Sequence, residues 1–372
     1  MFTVLTGLDC FCPSHAGLKD ILIAGDKIAG IADPGFFKRI YDYCEVIHCE
    51  GLLAFPGIID QHIHLIGGGG ENGPASRIGD ISIEDIFMAG VTTVVGVLGF
   101  DSYTKSLQSL LAQANTLEAK GLTAYIYTGS YAIPTVTVTG SIANDLILID
   151  KIIGTGEIAI SDYRSSQPTF NEFAQLAAKT HIAGLISGKA GIVHIHIGDG
   201  KERLTPLTQL LDKTDLPKAI FVPTHVNRNP ELFSEAVAYC RSGGNIDLTA
   251  GEKKGIPVPK AVKMLLESGA HMDKVSISSD ANGSDGQSVI KIQTFFEDIK
   301  NGILNENIPP ASMFALVTQN VAKTLKLYPT KGVIQKGSDA DILIMDKQYN
   351  IEKLYCKGRL CVSHRQIVEE TS

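Results

Sequence analysis

Phe55-Pro56-Gly57-Ile58-Ile59-Asp60-Gln61-His62-Ile63-His64 reads as a strand that ends in two histidines. Side chains on a strand alternate faces, so residues two apart point the same way. His62 and His64 therefore face one side together, a two-toothed chelate built from the side chain most often used to hold zinc. Taken alone, the pair also fits two packed or surface histidines. The rest of the chain separates these readings.

Counting Ala54–Ile59 in this stretch as the first strand, seven more follow: Val91–Leu98, Leu122–Thr128, Glu157–Ser161, Ile192–Ile197, Ala219–Thr224, Asn245–Thr249 and Lys274–Ser278. Segments of helical period lie between most of them. Leu107, Leu110, Leu111, Ala114 and Leu117 form one apolar stripe, and Leu232, Phe233, Ala236, Val237 and Cys240 another. Eight strands alternating with helices over about 250 residues is the signature of a (β/α)8 TIM barrel. A doubly wound sheet would be favoured by a Gly-x-Gly-x-x-Gly turn after the first strand, and none is there.

The two ends of the chain have a different character. Phe2–Leu5, Asp20–Ala24, Lys27–Ile31 and Glu45–His48 read as short strands split by turns such as Ala24-Gly25-Asp26. Ala340–Met345, Leu354–Val362 and Gln366–Glu369 repeat the style. Residues 1–52 and 332–372 are expected to form one small β-sandwich domain beside a distorted barrel of residues 53–331, since chain ends often lie close together.

Of the 372 residues 44% are hydrophobic and 20% charged, which excludes disorder, collagen and coiled coil as the main architecture. A net charge of −7 argues against a general nucleic-acid binder, which needs a basic face. No apolar run approaches the ~20 residues of a membrane span. Residues 1–11 lack the basic start of a signal peptide. Seven cysteines without a Cys-x-x-Cys read as reduced thiols. A cytoplasmic protein acting on a small molecule is expected, with no nucleic-acid or membrane partner.

Barrel enzymes place their sites at the carboxyl ends of the strands. His196 ends the fifth strand, His225 the sixth and Asp280 the eighth, while Glu157 opens the fourth. With His62 and His64 that makes four histidines and two carboxylates facing one mouth. Six ligands exceed what one tetrahedral zinc uses and suit two metals sharing a bridging carboxylate. His194 alternates with His196 and is expected to be an interior hydrogen-bonded histidine rather than a ligand.

With these residues in view, the chain resembles the isoaspartyl dipeptidase family of the amidohydrolase superfamily, and the resemblance covers nearly its whole length. The superfamily pattern is Pro-Gly-x-Ile-Asp-x-His-x-His at the first strand, with the later His and Asp positions and Gly332–Ile342 at the return to the β domain. More particular are Gly67-Gly68-Gly69-Gly70-Glu71, Thr128-Gly129-Ser130-Tyr131, Ile160–Ser165, Thr224-His225-Val226-Asn227-Arg228-Asn229 and Ser279–Ser284.

The resemblance implies hydrolysis of β-aspartyl dipeptides at a pair of zinc ions, bridged by Glu157 and a hydroxide. His62, His64 and Asp280 would hold the more buried ion, and His196 and His225 the second. Asp280 would act as general base and then acid, and Tyr131 would donate to the developing oxyanion. Gly69 and its neighbours would wrap the substrate, and Glu71 would hold its α-amino group. Arg164, Arg228 and Ser284 would bind carboxylates, arginine offering a planar fork for the purpose. Arg164 has the alternative of pairing with Asp162. The family also forms homo-oligomers, up to octamers.

Two positions depart from the family pattern. Glu157 stands where the family usually bridges its metals with a carboxylated lysine. Phe100 stands where it tends to have a threonine near the substrate's α-carboxylate, and Phe cannot donate a hydrogen bond. Phe100 thus bears on the substrate more than on the chemistry. Another amidohydrolase, such as a deacylase of N-acyl acidic amino acids, is the alternative reading, and a non-catalytic scaffold the remote one.

Overall fold

The computed structural model describes residues 2–284 and 289–368. Nine strands drawn from both ends of the chain make one β-rich sheet. Its order is Gln366–Ile367, Arg359–Ser363, Ile351–Cys356, Ile342–Met345, Leu53–Pro56, Phe2–Phe11, His15–Ala24 and Lys27–Ala32, with Glu45–His48 paired to Phe2–Phe11. The sandwich expected of the chain ends is therefore a single hydrogen-bonded sheet. Leu53–Pro56 joins its two halves, pairing with Phe2–Phe11 on one side and Ile342–Met345 on the other.

The expected first strand is split at Gly57. Leu53–Pro56 belongs to the β-rich sheet, and Ile58–Ile63 runs parallel to Val91–Gly96 in a second sheet. A Cβ on Gly57 would stand 2.3 Å from Thr92 Oγ1, so only glycine lets the chain cross there. The second sheet is parallel and curled, in the order Phe221–Thr224, Ile192–Ile197, Ile152–Ile160, Thr123–Thr128, Val91–Gly96 and Ile58–Ile63. A further parallel pair, Ile246–Thr249 with Val275–Ser278, stands between its ends. On one side Val226 N donates to Asp247 O at 3.4 Å. On the other Asp280 N donates to His62 O and His64 N to Ala281 O, each at 3.0 Å.

These strands are short Ile- and Val-rich runs because both faces are covered. Every residue of Val91–Gly96 and Ile192–Ile197 is buried. Helices Leu107–Ala119 and Pro230–Arg241 pack their apolar stripes inward, with Leu111 and Val237 half-buried at the stripe edges. Their starts are set by Ser106 and Asn229, whose side chains accept from the amides of Ser109 and Leu232. Phe55 links the β-rich sheet to helix Pro310–Ala315, its ring stacked on Phe11 at 4.3 Å and on Phe314 at 4.0 Å.

Other strands also differ from expectation. The fourth runs Ile152–Ile160, so Glu157 sits in its interior rather than at its start. Leu354–Val362 is a hairpin, because Lys357 (φ 47°) and Gly358 (φ 76°) turn the chain. The expected strand Gln366–Glu369 is seen as Gln366–Ile367, and Glu369 lies outside the described residues. Among the described residues no helix is long and apolar enough to cross a membrane.

Candidate metal centre and substrate cleft

The carboxyl ends of the parallel strands gather the four histidines and two carboxylates. Glu157 Oε2 lies 3.5 Å from His62 Nε2, 3.2 Å from His196 Nδ1 and 3.7 Å from His225 Nε2. Its Oε1 is 3.7 Å from His64 Nε2. Asp280 Oδ1 stands 3.3 Å from His62 Nε2 and 3.1 Å from His64 Nε2. His225 (φ 62°) and Asp280 (φ 50°) hold left-handed backbone, uncommon outside glycine and concentrated at functional sites.

Two overlapping triads have ligand atoms within 4.8 Å of one another: His62, His64 and Asp280, and His62, Glu157 and His225. His62 Nε2 and Glu157 Oε1 are buried with no hydrogen-bond partner. Buried imidazole nitrogens and carboxylate oxygens left unpaired make a donor set that suits zinc. The rings are aimed by neighbours. His62 Nδ1 is 2.9 Å from His194 Nε2, and His225 Nδ1 is 2.7 Å from Thr249 Oγ1. In both cases Nε2 is left facing Glu157, as buttressed metal ligands require. Burial opposes charge on His62, yet Glu157 and Asp280 push its pKa up to about 9. Burial holds His225 down to about 3, with His196 adding to the effect.

His196 joins this cluster on one edge only. Its Nδ1 meets Glu157 and the Tyr131 hydroxyl (2.9 Å), while its Nε2 is 2.9 Å from Asp162 Oδ2. The same Asp162 carboxylate accepts from Arg164 Nε at 3.0 Å, Arg164 Nη2 at 2.9 Å and the Arg164 amide at 2.7 Å. The fork of Arg164 is thus taken by Asp162, the pairing weighed as an alternative in the sequence. Nη1 remains, 3.6 Å from Glu71 Oε1. Three aromatic rings surround this guanidinium, Tyr131 at 5.3 Å, Tyr163 at 5.4 Å and Phe100 at 5.9 Å.

Gly69, Glu71, Phe100, Tyr131, Arg164, Arg228 and Ser284 line one cleft with His64, His196 and Asp280. Glu71 Oε2 is buried there without a partner. Arg228 has no ion pair among the described residues, so its fork is the one open to an anion. Phe100 closes the cleft with its ring 6.1 Å from that of Tyr131, edge to face. Tyr131 is buried, and desolvation together with Glu157 holds its pKa well above the usual phenol range, so it stays a donor.

Asp162, Thr249 and Lys105 act around the site without having been singled out as site residues, while His194 is the interior hydrogen-bonded histidine expected from the sequence. For Asp162 a signal existed, since it lies two residues past the end of the fourth strand and two before Arg164. For Thr249 and Lys105 only packing reveals the role.

The chain is similar to proteins of known structure and function. A β-aspartyl dipeptidase from the thermophilic, keratin-degrading Fervidobacterium islandicum AW-1, solved in complex with the β-Asp-Leu dipeptide, is 39% identical. The match covers 100% of this chain and 99% of that one, with a TM-score of 0.93. A second structure of that enzyme superposes with a TM-score of 0.94 at 39% identity, covering 100% of both chains. An imidazolonepropionase from Colwellia psychrerythraea (strain 34H / ATCC BAA-681) is 22% identical over 369 residues, 91% of this chain and 87% of that protein. The family model described as "Amidohydrolase family" matches residues 53–361. That match spans the parallel sheet and every residue of the cleft, and the chain belongs to the amidohydrolase family.

Proposed function

We propose that the protein is a metal-dependent dipeptidase that hydrolyses β-aspartyl dipeptides. The observation that carries this reading is the position of Glu71, Arg164, Arg228 and Ser284 in one cleft with Asp280, Tyr131, His64 and His196. A carboxylate and open cationic groups beside a hydrolytic centre suit a small zwitterion with a second carboxylate. The 39% identity to an enzyme solved with β-Asp-Leu supports the same substrate class.

His62, His64 and Asp280 would hold one zinc ion, and Glu157, His196 and His225 a second, with Glu157 between them. Bound zinc would supply Lewis acidity and acidify water near neutral pH. The chain's own residues do the rest. Asp280 faces the cleft and the histidines, placed to take the proton of the attacking water and return it to the leaving amine. Tyr131 donates a hydrogen bond from its hydroxyl to the oxygen that gains charge. Glu71, with its unpartnered oxygen, takes the substrate's ammonium. Arg228 takes a carboxylate by its free fork, and Arg164 contributes Nη1. Gly69 and Ser284 complete the wall. Phe100 offers a face rather than a donor to the α-carboxylate, so that group relies on its other contacts.

We further propose that the six-stranded sheet and the two-stranded pair together form a distorted (β/α)8 barrel. Its span would be 53–331, with 1–52 and 332–372 as the companion β domain.

The test is hydrolysis of β-Asp-Leu beside α-Asp-Leu by zinc-loaded protein of measured metal content. Selective cleavage of the β-linked peptide is expected. Stoichiometric zinc with cleavage of neither would overturn the substrate while leaving a hydrolytic centre. Cleavage of N-acyl aspartate instead would favour the deacylase reading.

A further inference from the structure

Lys105 is unlike the other lysines of the chain. It stands one residue before the cap of helix Leu107–Ala119, and its Nζ reaches four backbone carbonyls: Ile66 (2.9 Å), Gly67, Gly68 (3.3 Å) and Ile78 (3.3 Å). Those carbonyls belong to two segments forced together. A Cβ on Gly67 (φ +73°) would lie 2.3 Å from Ile78 O, and one on Gly69 (φ +76°) would lie 2.3 Å from Ser76 O. Converging carbonyl dipoles repel one another, and an ammonium at their focus offsets the repulsion.

We propose that Lys105 is a positioning residue for substrate binding, a tethered cation that holds the Gly67–Glu71 loop in its binding shape. An ammonium has three N–H donors, and four carbonyls already surround this one, so no donor is left for a substrate carboxylate. Lys105 borders the cleft but acts through the loop. The loop is also pinned by Asn282, whose backbone carbonyl accepts from Gly68 N at 2.8 Å and whose side-chain amide donates to Gly79 O at 2.7 Å. Held by Lys105 and Asn282, the loop brings Gly68, Gly69 and Glu71 to the cleft wall. Its effect on catalysis rests on the dipeptidase reading above, but its effect on the loop does not.

Two readouts test it. In Lys105→Met the stem is kept and the charge removed. Amide exchange at Gly67, Gly68, Gly70 and Ile78, all hydrogen-bonded within this region, is expected to accelerate at least tenfold without substrate. With zinc-loaded enzyme and β-Asp-Leu, KM is expected to rise about tenfold while kcat changes less than threefold. Loop exchange within twofold of wild type would overturn the proposal, as would a fall in kcat at unchanged KM. If Lys105→Met does not fold, Lys105→Arg keeps the charge. Near-native exchange and a KM within threefold are then expected, and exchange as fast as in an unstructured peptide would overturn the cationic role. A wild type that fails to cleave β-Asp-Leu sinks the dipeptidase reading alone, because the exchange measurement needs no substrate.

Discussion

Asp162→Asn isolates the link between His196, a proposed metal ligand, and Arg164 of the cleft. The Asp162 side chain is 3% exposed and carries four contacts: three from Arg164 and one with His196 Nε2. Asparagine keeps the shape and one acceptor oxygen. It loses the charge, and its NH2 must face either Arg164 Nε and the Arg164 amide, or Arg164 Nη2 and His196 Nε2, so it meets an arginine donor in both placements. Buried hydrogen bonds to a charged group contribute about 1.5–3 kcal/mol each, and 1.36 kcal/mol is tenfold in rate. Losing the ionic part of one to two of them corresponds to a drop of roughly 10–100-fold in kcat/KM, the range seen when groups behind metal ligands are altered. The assay is β-Asp-Leu hydrolysis with metal content measured on the same preparation. Because Asp162 and Arg164 act as one unit, Asp162→Asn/Arg164→Met is expected to lose on the order of 1–2 kcal/mol less than the two single losses combined. A kcat/KM within threefold of wild type in Asp162→Asn, or strict additivity in the double variant, would refute the coupling.

Asp280→Asn should lower kcat by roughly 10²–10⁴-fold with little change in KM, since proton transfer is lost while the clamps remain; steady-state kinetics decide it. Glu71→Gln should raise KM for substrates with a free α-amine and leave N-blocked substrates unaffected, and equal effects on both would remove Glu71 from that role. Removing metal with a chelator should abolish hydrolysis, and added zinc should restore it, while activity that survives full metal removal would exclude the metal-dependent reading.

Lys331 joins Asp339 (2.8 Å), Asp341 (2.6 Å) and Thr123 Oγ1 (2.7 Å) at a buried seam between the two sheets. Lys331→Met should cost about 3–5 kcal/mol, as breaking a buried ion pair does, or roughly 6–10 °C in Tm at about 2 °C per kcal/mol. Burial works against the Lys331 charge, but Asp341 and Asp339 still raise its pKa. Burial likewise opposes the Asp339 carboxylate, but Lys331 and Lys27 still lower its pKa. A lowered carboxylate stabilises above its unfolded pKa of ~3.9, and a raised lysine below its unfolded pKa of ~10.4. The Tm gap between wild type and Lys331→Met should thus be flat from about pH 5 to 9 and shrink below about pH 4. A gap that widens in acid would contradict this.

Much of the site was legible because its grammar is local. His62 and His64 share a face by the two-residue period of a strand, whatever else the chain does. His196, His225 and Asp280 were found from their places at strand ends, and the structure puts them within a few ångströms of Glu157 or of His62 and His64. Apolar runs marked most strands to within a few residues. Boundaries went astray where a single glycine decided matters. Nothing in Ala54–Ile59 says that the chain leaves one sheet and enters another at Gly57, because the reason is Thr92, in a neighbouring strand.

The sequence by itself determined the alternation of strands and helices, the β character of both ends and the identity of the six ligand-type side chains, since each depends on spacing along the chain. Tertiary structure alone decided that the fork of Arg164 turns to Asp162 while that of Arg228 has no ion pair among the described residues. It alone decided that His194 and Thr249 aim His62 and His225, and that Lys105 sits at the focus of four carbonyls. The physical reason is range: periodicity acts between residues a few positions apart. A long, flexible arginine or lysine instead chooses its partner from whatever charge or dipole the folded chain brings within about 3 Å.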